Sequence, residues 1–300
     1  MPLSRFPALQ DYLAQFKGPK AARAPIAVFD CDGTIIKGDI GEAMFYYQLE
    51  HFFLRVNPAN IWLDHPRREE LDTLYSVLAS LPAEKRVHDR RYVSFVETMI
   101  DWYIDQLQEG KTEKACSDIV RLFSKFSDEE VRTIARATFA EEMAAPFGTR
   151  KLGKHTVAKG IRYIKESVAL LRELQHLGFD IWAISGSNVW SIQPVFERLG
   201  LPDNRIIGID LLHSTSLLSS KVGTPVPVLE GKVEALRLRT DLPPTIVVSD
   251  SIYDLPLFGF SSELKVFVNS RMENSYSFFK QAQIEQDHTW VVIENPTIEQ

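Results

Sequence analysis

The chain has 300 residues, 45% of them hydrophobic and 25% charged, an ordinary globular composition with length for one large domain or two smaller ones. A formal net charge of −6 excludes a non-specific nucleic-acid binder, which needs a basic surface. With only two cysteines, Cys31 and Cys116, there is no disulfide framework and no CxxC metal spacing, so a reducing, cytoplasmic compartment is expected.

The opening MPLSRFPALQDYLAQFKGPKAARAP has no continuous apolar stretch, so a secretory signal is not expected. No window is apolar for long enough to span a membrane. The first clear element is IAVF, residues 26–29, which reads as a buried strand running into Asp30, Cys31, Asp32, Gly33 and Thr34. Two carboxylates at the end of a buried strand cost free energy unless something pairs with them. Helices are predicted next at 42–54, 68–79, 90–107, 113–126 and 128–143, the last opened by Ser127 and Glu130 at capping-box spacing. Strand signal is almost absent from 41 to 160. A helical block of about 120 residues, enough for a small domain, is therefore expected to interrupt an α/β domain after its first strand. KLGKHTVAKG, residues 151–160, reads as the linker back.

Beyond it, Ile164, Val168, Leu171 and Leu174 share one helical face, and Gly178 marks the stop. The strand DIWAIS, the helix VWSIQPVFERLGL, the strand RIIGID, the helix GKVEALRLR, the strand TIVVSD and a closing strand at 264–269 follow. Between RIIGID and GKVEALRLR, the stretch IIGIDLLHSTSLLSSKVGTPVPVL is predicted to hold an extra strand pair. Strands alternating with helices argue for a parallel sheet covered on both faces. The expected division is a core of 1–40 and 161–300 with a helical domain at 41–160.

Ligands of open α/β sheets bind beyond the carboxyl ends of the strands. The strand ends here carry Asp30 and Asp32, then Ser185, Gly186 and Ser187, then Asp250 and Asp254, while Lys232 opens a helix. Asp30, Asp250 and Asp254 brought together would repel one another. A hard divalent cation such as Mg²⁺ relieves that conflict. Mg²⁺ and a lysine make a phosphoryl site, to which a serine hydroxyl and the N–H groups of a glycine turn add contacts. Asp30 would then attack phosphorus to give an aspartyl phosphate, and Asp32 would protonate the leaving oxygen and later activate water. Rival motifs fail. A calcium loop starting at Asp30 would meet Thr34, Ile35 and Gly41 where it needs an oxygen donor, a glycine and a glutamate. No HExxH zinc pair and no GxxxxGK[ST] loop is present. Cys31, flanked by carboxylates, reads as a small spacer and not as a nucleophile.

DCDGT, SGS, GKVEAL and SDSIYDLPLF resemble, in order, the four motifs of the haloacid dehalogenase superfamily of phosphatases. The helical insertion after the first motif resembles its phosphoserine-phosphatase-like branch. The resemblance covers nearly the whole chain. It implies an α/β, Rossmann-like parallel sheet with an inserted all-helical cap, Asp30 as nucleophile and Asp32 as general acid and base. It further implies Mg²⁺ bound by Asp30, the Asp32 carbonyl and Asp250, with Asp254 acting through a metal-bound water, and phosphate bound by Ser185, Gly186 and Lys232. Ser249 departs from the pattern, standing where the family usually has glycine; a changed turn is expected, not a lost metal. Asp39 lies nine residues after Asp30, where phosphoserine phosphatases have an acid that meets the substrate ammonium. Asp39 and Glu42 equally have N-cap and N3 spacing. No arginine matches the one those enzymes use for the substrate carboxylate; Arg90 and Arg91 are candidates.

The helical block is rich in aromatics: Phe45, Tyr46, Tyr47, Phe52, Phe53, Trp62, Tyr92, Phe95, Trp102 and Tyr103. Most should pack, though a few beside Asp39 could hold an ammonium group. The expected activity is Mg²⁺-dependent hydrolysis of a small phosphorylated metabolite, with phosphoserine, phosphocholine or phosphoethanolamine as amine-bearing candidates. The alternatives are a phosphotransferase or mutase using the same site, or a non-catalytic binding protein. A dehalogenase would not need Asp32. Neither a nucleic-acid nor a membrane partner is expected, and the sequence does not give the oligomeric state.

Overall fold

Ile26–Phe29 forms strand β1, with all four side chains buried. Side chains alternate along a strand. Ile26 and Val28 join a core with Ala235, Leu236, Leu257 and Phe258, while Ala27 and Phe29 are buried on the opposite face. Burial on both faces is the signature of a covered parallel strand. The computed structural model describes residues 2–17, 23–62, 64–270 and 287–299. Around β1 it assembles β2 (Asp180–Asn188), β3 (Ile206–Ile209), β4 (Ile246–Ser249), β5 (Leu264–Val268) and β6 (Trp290–Ile293) in the order β6-β5-β4-β1-β2-β3. Pairing is parallel from β6 through β5, β4 and β1 to β2. The chain leaves β1 for β2 and β3 on one side, then returns to β4 on the other. β1 is therefore the topological switch point, where such sheets bind ligands. The sequence predicts five strands; β6 is a sixth, at the edge.

Two compact units divide the chain. The first is Met1–Asp39, Ile161–Gly208 and Pro225–Gln300; the second is Ile40–Gly160 and Ile209–Thr224. In the first, the predicted helices appear as α1 (Lys165–His176), α2 (Val189–Glu197) and α3 (Glu230–Arg237), and an unpredicted α4 (Leu255–Phe260) follows β4. In the second, helices run over Ile40–Glu50, Arg68–Ser80, Arg90–Gln108, Thr112–Arg121 and Asp128–Ala144, close to their predicted bounds. Ser127 and Glu130 form the expected capping box. Two single-turn helices, Pro58–Ile61 and Ala83–Arg86, are additional.

The supposed linker at 151–160 is structured. Gly148–Leu152 pairs antiparallel with His155–Lys159, turning at Gly153 with φ 59°. Only Leu152 and Val157 of this hairpin are buried, so it lacks the apolar run that betrays a strand. The strand pair predicted after β3 is Leu211–Ser214 with Leu217–Val222. It groups with the helices, exchanging backbone bonds from Lys125 N–H to the Leu218 carbonyl and from Leu218 N–H to the Phe126 carbonyl, both 2.8 Å. Among the described residues, no helix is long and apolar enough to cross a membrane.

Candidate active site

The site grows from the end of β1. Phe29 pairs with Val248 of β4 and Ala183 of β2. The next residues of the three strands, Asp30, Ser249–Asp250 and Ile184–Ser185, thus emerge along one sheet edge. Asp30 still donates its N–H to the Val248 carbonyl at 3.0 Å. The chain then turns sharply. Gly33 has φ 80°, a conformation that favours glycine, and its N–H reaches the Ile36 carbonyl at 2.7 Å.

That turn puts Thr34, fully buried, under two acids. Its Oγ1 lies 3.3 Å from Asp30 Oδ2 and 3.2 Å from Asp250 Oδ1, and it accepts the Asp250 N–H at 2.9 Å. One hydroxyl therefore ties the β1 and β4 carboxylates together. Ser270, just past β5, lies 3.3 Å from Asp250 Oδ2 through its Oγ, which also bonds the Gly33 carbonyl.

Lys232 supplies the countercharge. Its Nζ donates to Asp30 Oδ1 at 2.9 Å and to Asp254 Oδ2 at 2.8 Å. Burial works against the Lys232 charge, but Asp254 and Asp30 outweigh it and hold the ammonium above the usual lysine range. Burial pushes the Asp254 carboxyl up, against the pull of Lys232. The start of α3 is built tightly to place this lysine. Leu229, preceding the helix, has φ 54° and ψ −126°, a region costly for a residue with a side chain. A Cβ on Gly231 would lie 1.9 Å from the Val226 carbonyl oxygen.

Asp32 has a different setting. Its Oδ2 accepts from Ser187 Oγ at 2.7 Å and from Ser185 Oγ at 3.1 Å. Two acids one residue apart thus meet a cation and a pair of hydroxyls respectively.

Asp30, Asp32, Ser185, Lys232, Asp250 and Asp254 are expected together from the sequence; the structure joins Asp30, Lys232, Asp250 and Asp254 in one hydrogen-bonded set and Asp32 with Ser185 in a second at the same sheet edge. Gly186 lies on β2 between the two serines. Asp254 stands at the N-terminus of α4 but makes no capping bond there. Its carboxylate turns instead to Lys232 and Ser249. Lys232 also resolves the repulsion expected between Asp30 and Asp254, leaving the β1 and β4 acids for a cation. Thr34 and Ser270, to which the sequence pattern assigns no part, join the first set; Ser187, expected at this strand end, joins the second through Asp32. Asp39 immediately precedes the helix Ile40–Glu50. Glu42 accepts from Tyr103 Oη at 3.2 Å. Arg91 is committed to Asp89, the N-cap of its own helix, through two bonds of 2.7 Å. Seven of the ten aromatics are buried, including Phe52, Trp62 and Phe95, whose rings stack and tilt together with Tyr75.

The donor chemistry fits a hard divalent cation: two carboxylates fixed by one hydroxyl, beside a turn of backbone carbonyls. Among the described residues, no group of three or more His, Cys, Asp or Glu side chains is placed to hold a metal. A cation here would rest on two carboxylates and would draw its other oxygens from backbone and water.

The haloacid dehalogenase-like hydrolase family model matches residues 97–259, more than half of the chain. The chain belongs to the haloacid dehalogenase-like hydrolases. The match takes in Ser185, Lys232, Asp250 and Asp254 but begins after Asp30 and Asp32, whose place in this hydrolase rests on the geometry above. No curated protein matches the chain. Among solved structures, a protein of unknown function from Anaerococcus prevotii DSM 20548 is similar at 16% identity, with a TM-score of 0.72 over 95% of this chain and 91% of that one. Another of unknown function, from Bordetella pertussis Tohama I, is 15% identical with a TM-score of 0.58 over 91% and 99%. A substrate-bound phosphoserine phosphatase is 14% identical with a TM-score of 0.45 over 86% and 91%. At identities this low, the likeness to the first two is one of fold.

Proposed function

We propose that this hydrolase is a Mg²⁺-dependent phosphomonoesterase working through an aspartyl phosphate on Asp30. The observation that carries the reading is the split between the two acids of the first motif. Asp30 is paired with a buried ammonium, and Asp32 is held by two hydroxyls. Carboxylates in such different settings suit different roles.

Asp30 attacks phosphorus, forming a new O–P bond as the bond to the ester oxygen breaks. Asp32 gives its proton to the departing oxygen, so the alcohol leaves neutral. Asp32, now a carboxylate, takes a proton from water as that water attacks the same phosphorus. Inorganic phosphate leaves and the Asp30 carboxylate is restored. Lys232, with Ser185 and the Gly186 N–H, binds the phosphoryl oxygens whose charge must be balanced throughout. Mg²⁺ bound by Asp30, Asp250 and the Asp32 carbonyl would supply the remaining positive charge. Asp254 keeps Lys232 in place.

The expected substrate is a small, amine-bearing phosphomonoester, with Asp39 meeting its ammonium. The test uses the full chain with Mg²⁺ and a panel containing phosphoserine, phosphocholine, phosphoethanolamine and an aryl phosphate. The wild type should turn over at least one of these, and Asp30→Asn, folded by circular dichroism, should not. Wild-type turnover by Asp30→Asn would sink the mechanism. Asp39→Asn should raise KM for the amine esters and leave the aryl ester unchanged; equal effects on both would remove Asp39 from substrate recognition.

A further inference from the structure

We infer that Ser249 is a positioning residue: its hydroxyl fixes Asp254 so that the Lys232 ammonium stays shared between two carboxylates and does not collapse onto Asp30. The inference rests on the phosphatase reading above and deepens it at a position where this chain departs from the usual family glycine.

Ser249 ends β4 and is fully buried. Its Oγ donates to Asp254 Oδ2 at 2.6 Å and accepts the Ser251 N–H at 3.1 Å. The same Asp254 carboxylate receives Lys232 Nζ at 2.8 Å on Oδ2 and 2.7 Å on Oδ1. Lys232 in turn reaches Asp30 Oδ1 at 2.9 Å. An unbroken chain thus runs from the Ser251 N–H through Ser249, Asp254 and Lys232 to the attacking acid. The two bonds of Ser249 do separate jobs. One orients Asp254; the other pins the loop that carries Asp250 and leads into Asp254.

Glycine offers neither bond. Without the hydroxyl, Asp254 keeps Lys232 as its side-chain partner among the described residues and rotates with it. Two carboxylates then compete for one ammonium with nothing holding the second in place. An ammonium drawn to Asp30 ties up the oxygen that must attack, and it leaves the position from which it would meet phosphoryl charge. Both effects are felt where charge shifts, in the transition state, and little in ground-state binding.

The test compares Ser249→Ala, Ser249→Gly and Ser249→Thr with the wild type, using the best substrate of the panel and Asp30→Asn as the inactive control. Orthovanadate, a mimic of five-coordinate phosphorus, is titrated with Mg²⁺ by calorimetry as a readout independent of turnover. Ser249→Ala and Ser249→Gly should lose about ten- to a hundredfold in kcat, the range of one hydrogen bond to a charged group, with KM within about twofold. Orthovanadate affinity should fall in parallel. Ser249→Thr, which keeps the hydroxyl, should recover most of the loss. A Ser249→Ala protein that melts lower but keeps wild-type kcat and orthovanadate affinity overturns the inference, because the hydroxyl is then only structural. The inference also fails if Ser249→Thr behaves as Ser249→Ala does while remaining folded. An active Asp30→Asn protein, by contrast, counts against the phosphatase reading itself.

Discussion

Thr34 shows what a single hydroxyl does at a charged strand end. It accepts the Asp250 N–H and bridges Asp30 and Asp250 from a fully buried position. Thr34→Val keeps the shape and removes every one of these bonds. A buried N–H left without an acceptor costs about 1–3 kcal/mol. Chemical denaturation should show a stability loss of that size, and calorimetry a weaker Mg²⁺ affinity; an unchanged affinity would mean that Thr34 does not hold the two acids for a cation. The charged members of the site are legible in the sequence because charge at the end of an apolar strand is anomalous wherever it occurs. Thr34, Ser187 and Ser270 carry no such anomaly. A hydroxyl's role depends on which acid it faces, and Ser270 is 20 residues from the Asp250 it approaches. Ser249 is visible as a departure from pattern, yet its bond to Asp254 emerges only in three dimensions.

Among elements, the helical unit offers a pH test. His65 is buried, and its Nδ1 accepts the Arg67 N–H at 2.8 Å, which only a neutral ring can do. Burial pushes the His65 pKa down, seconded by the Arg67 charge and opposed by the Thr98 backbone, Asp105 and Glu70. The unfolded ring binds a proton from about pH 6.5 downward. Between that value and the lower folded one, the unfolded state carries more protons, so stability is full above pH 6.5 and is lost as pH falls through the folded pKa. The melting temperature of the wild type should drop between about pH 7.5 and 5.5, the range that brackets the unfolded histidine. His65→Asn, which keeps an acceptor oxygen and cannot titrate, should flatten that drop; an identical slope would absolve His65. The helices of this unit are legible because each repeats an apolar face, as in the capped helix Asp128–Ala144. The hairpin at 148–159 is not, because its residues are mostly polar and exposed. β6, at a sheet edge, is not among the predicted strands although its four residues equal β1, β3 and β4 in length.

For the whole molecule, the units are compact but neither is continuous in sequence. The chain passes between them after Asp39, Gly160, Gly208 and Thr224. Both insertions leave from paired backbone. Ile36 pairs with Tyr163 and Lys37 with Arg162 at the first, and Leu211 pairs with Val222 at the second. Each can therefore be replaced by a short glycine-serine turn without stretching the sheet. The sheet keeps its own core, from Val28 and Ile184 to Phe258 and Phe267. Removing 40–160 alone orphans the hairpin at 211–222, whose Leu218 is buried and bonded through its backbone to Lys125 and Phe126. An apolar strand with unpaired N–H and carbonyl groups is a template for association. Excising 40–160 alone should give a protein that self-associates in sedimentation, whereas excising 40–160 and 209–224 together should give a monodisperse one with cooperative thermal unfolding. If the single excision is equally well behaved, the hairpin does not depend on the helices for cover. The substrate panel then adds a second reading of the same proteins. The doubly excised protein retains Asp30, Asp32, Asp39, Lys232 and Asp250, so a simple aryl phosphate should still be hydrolysed, and a preference for amine-bearing esters that rests on Asp39 should persist.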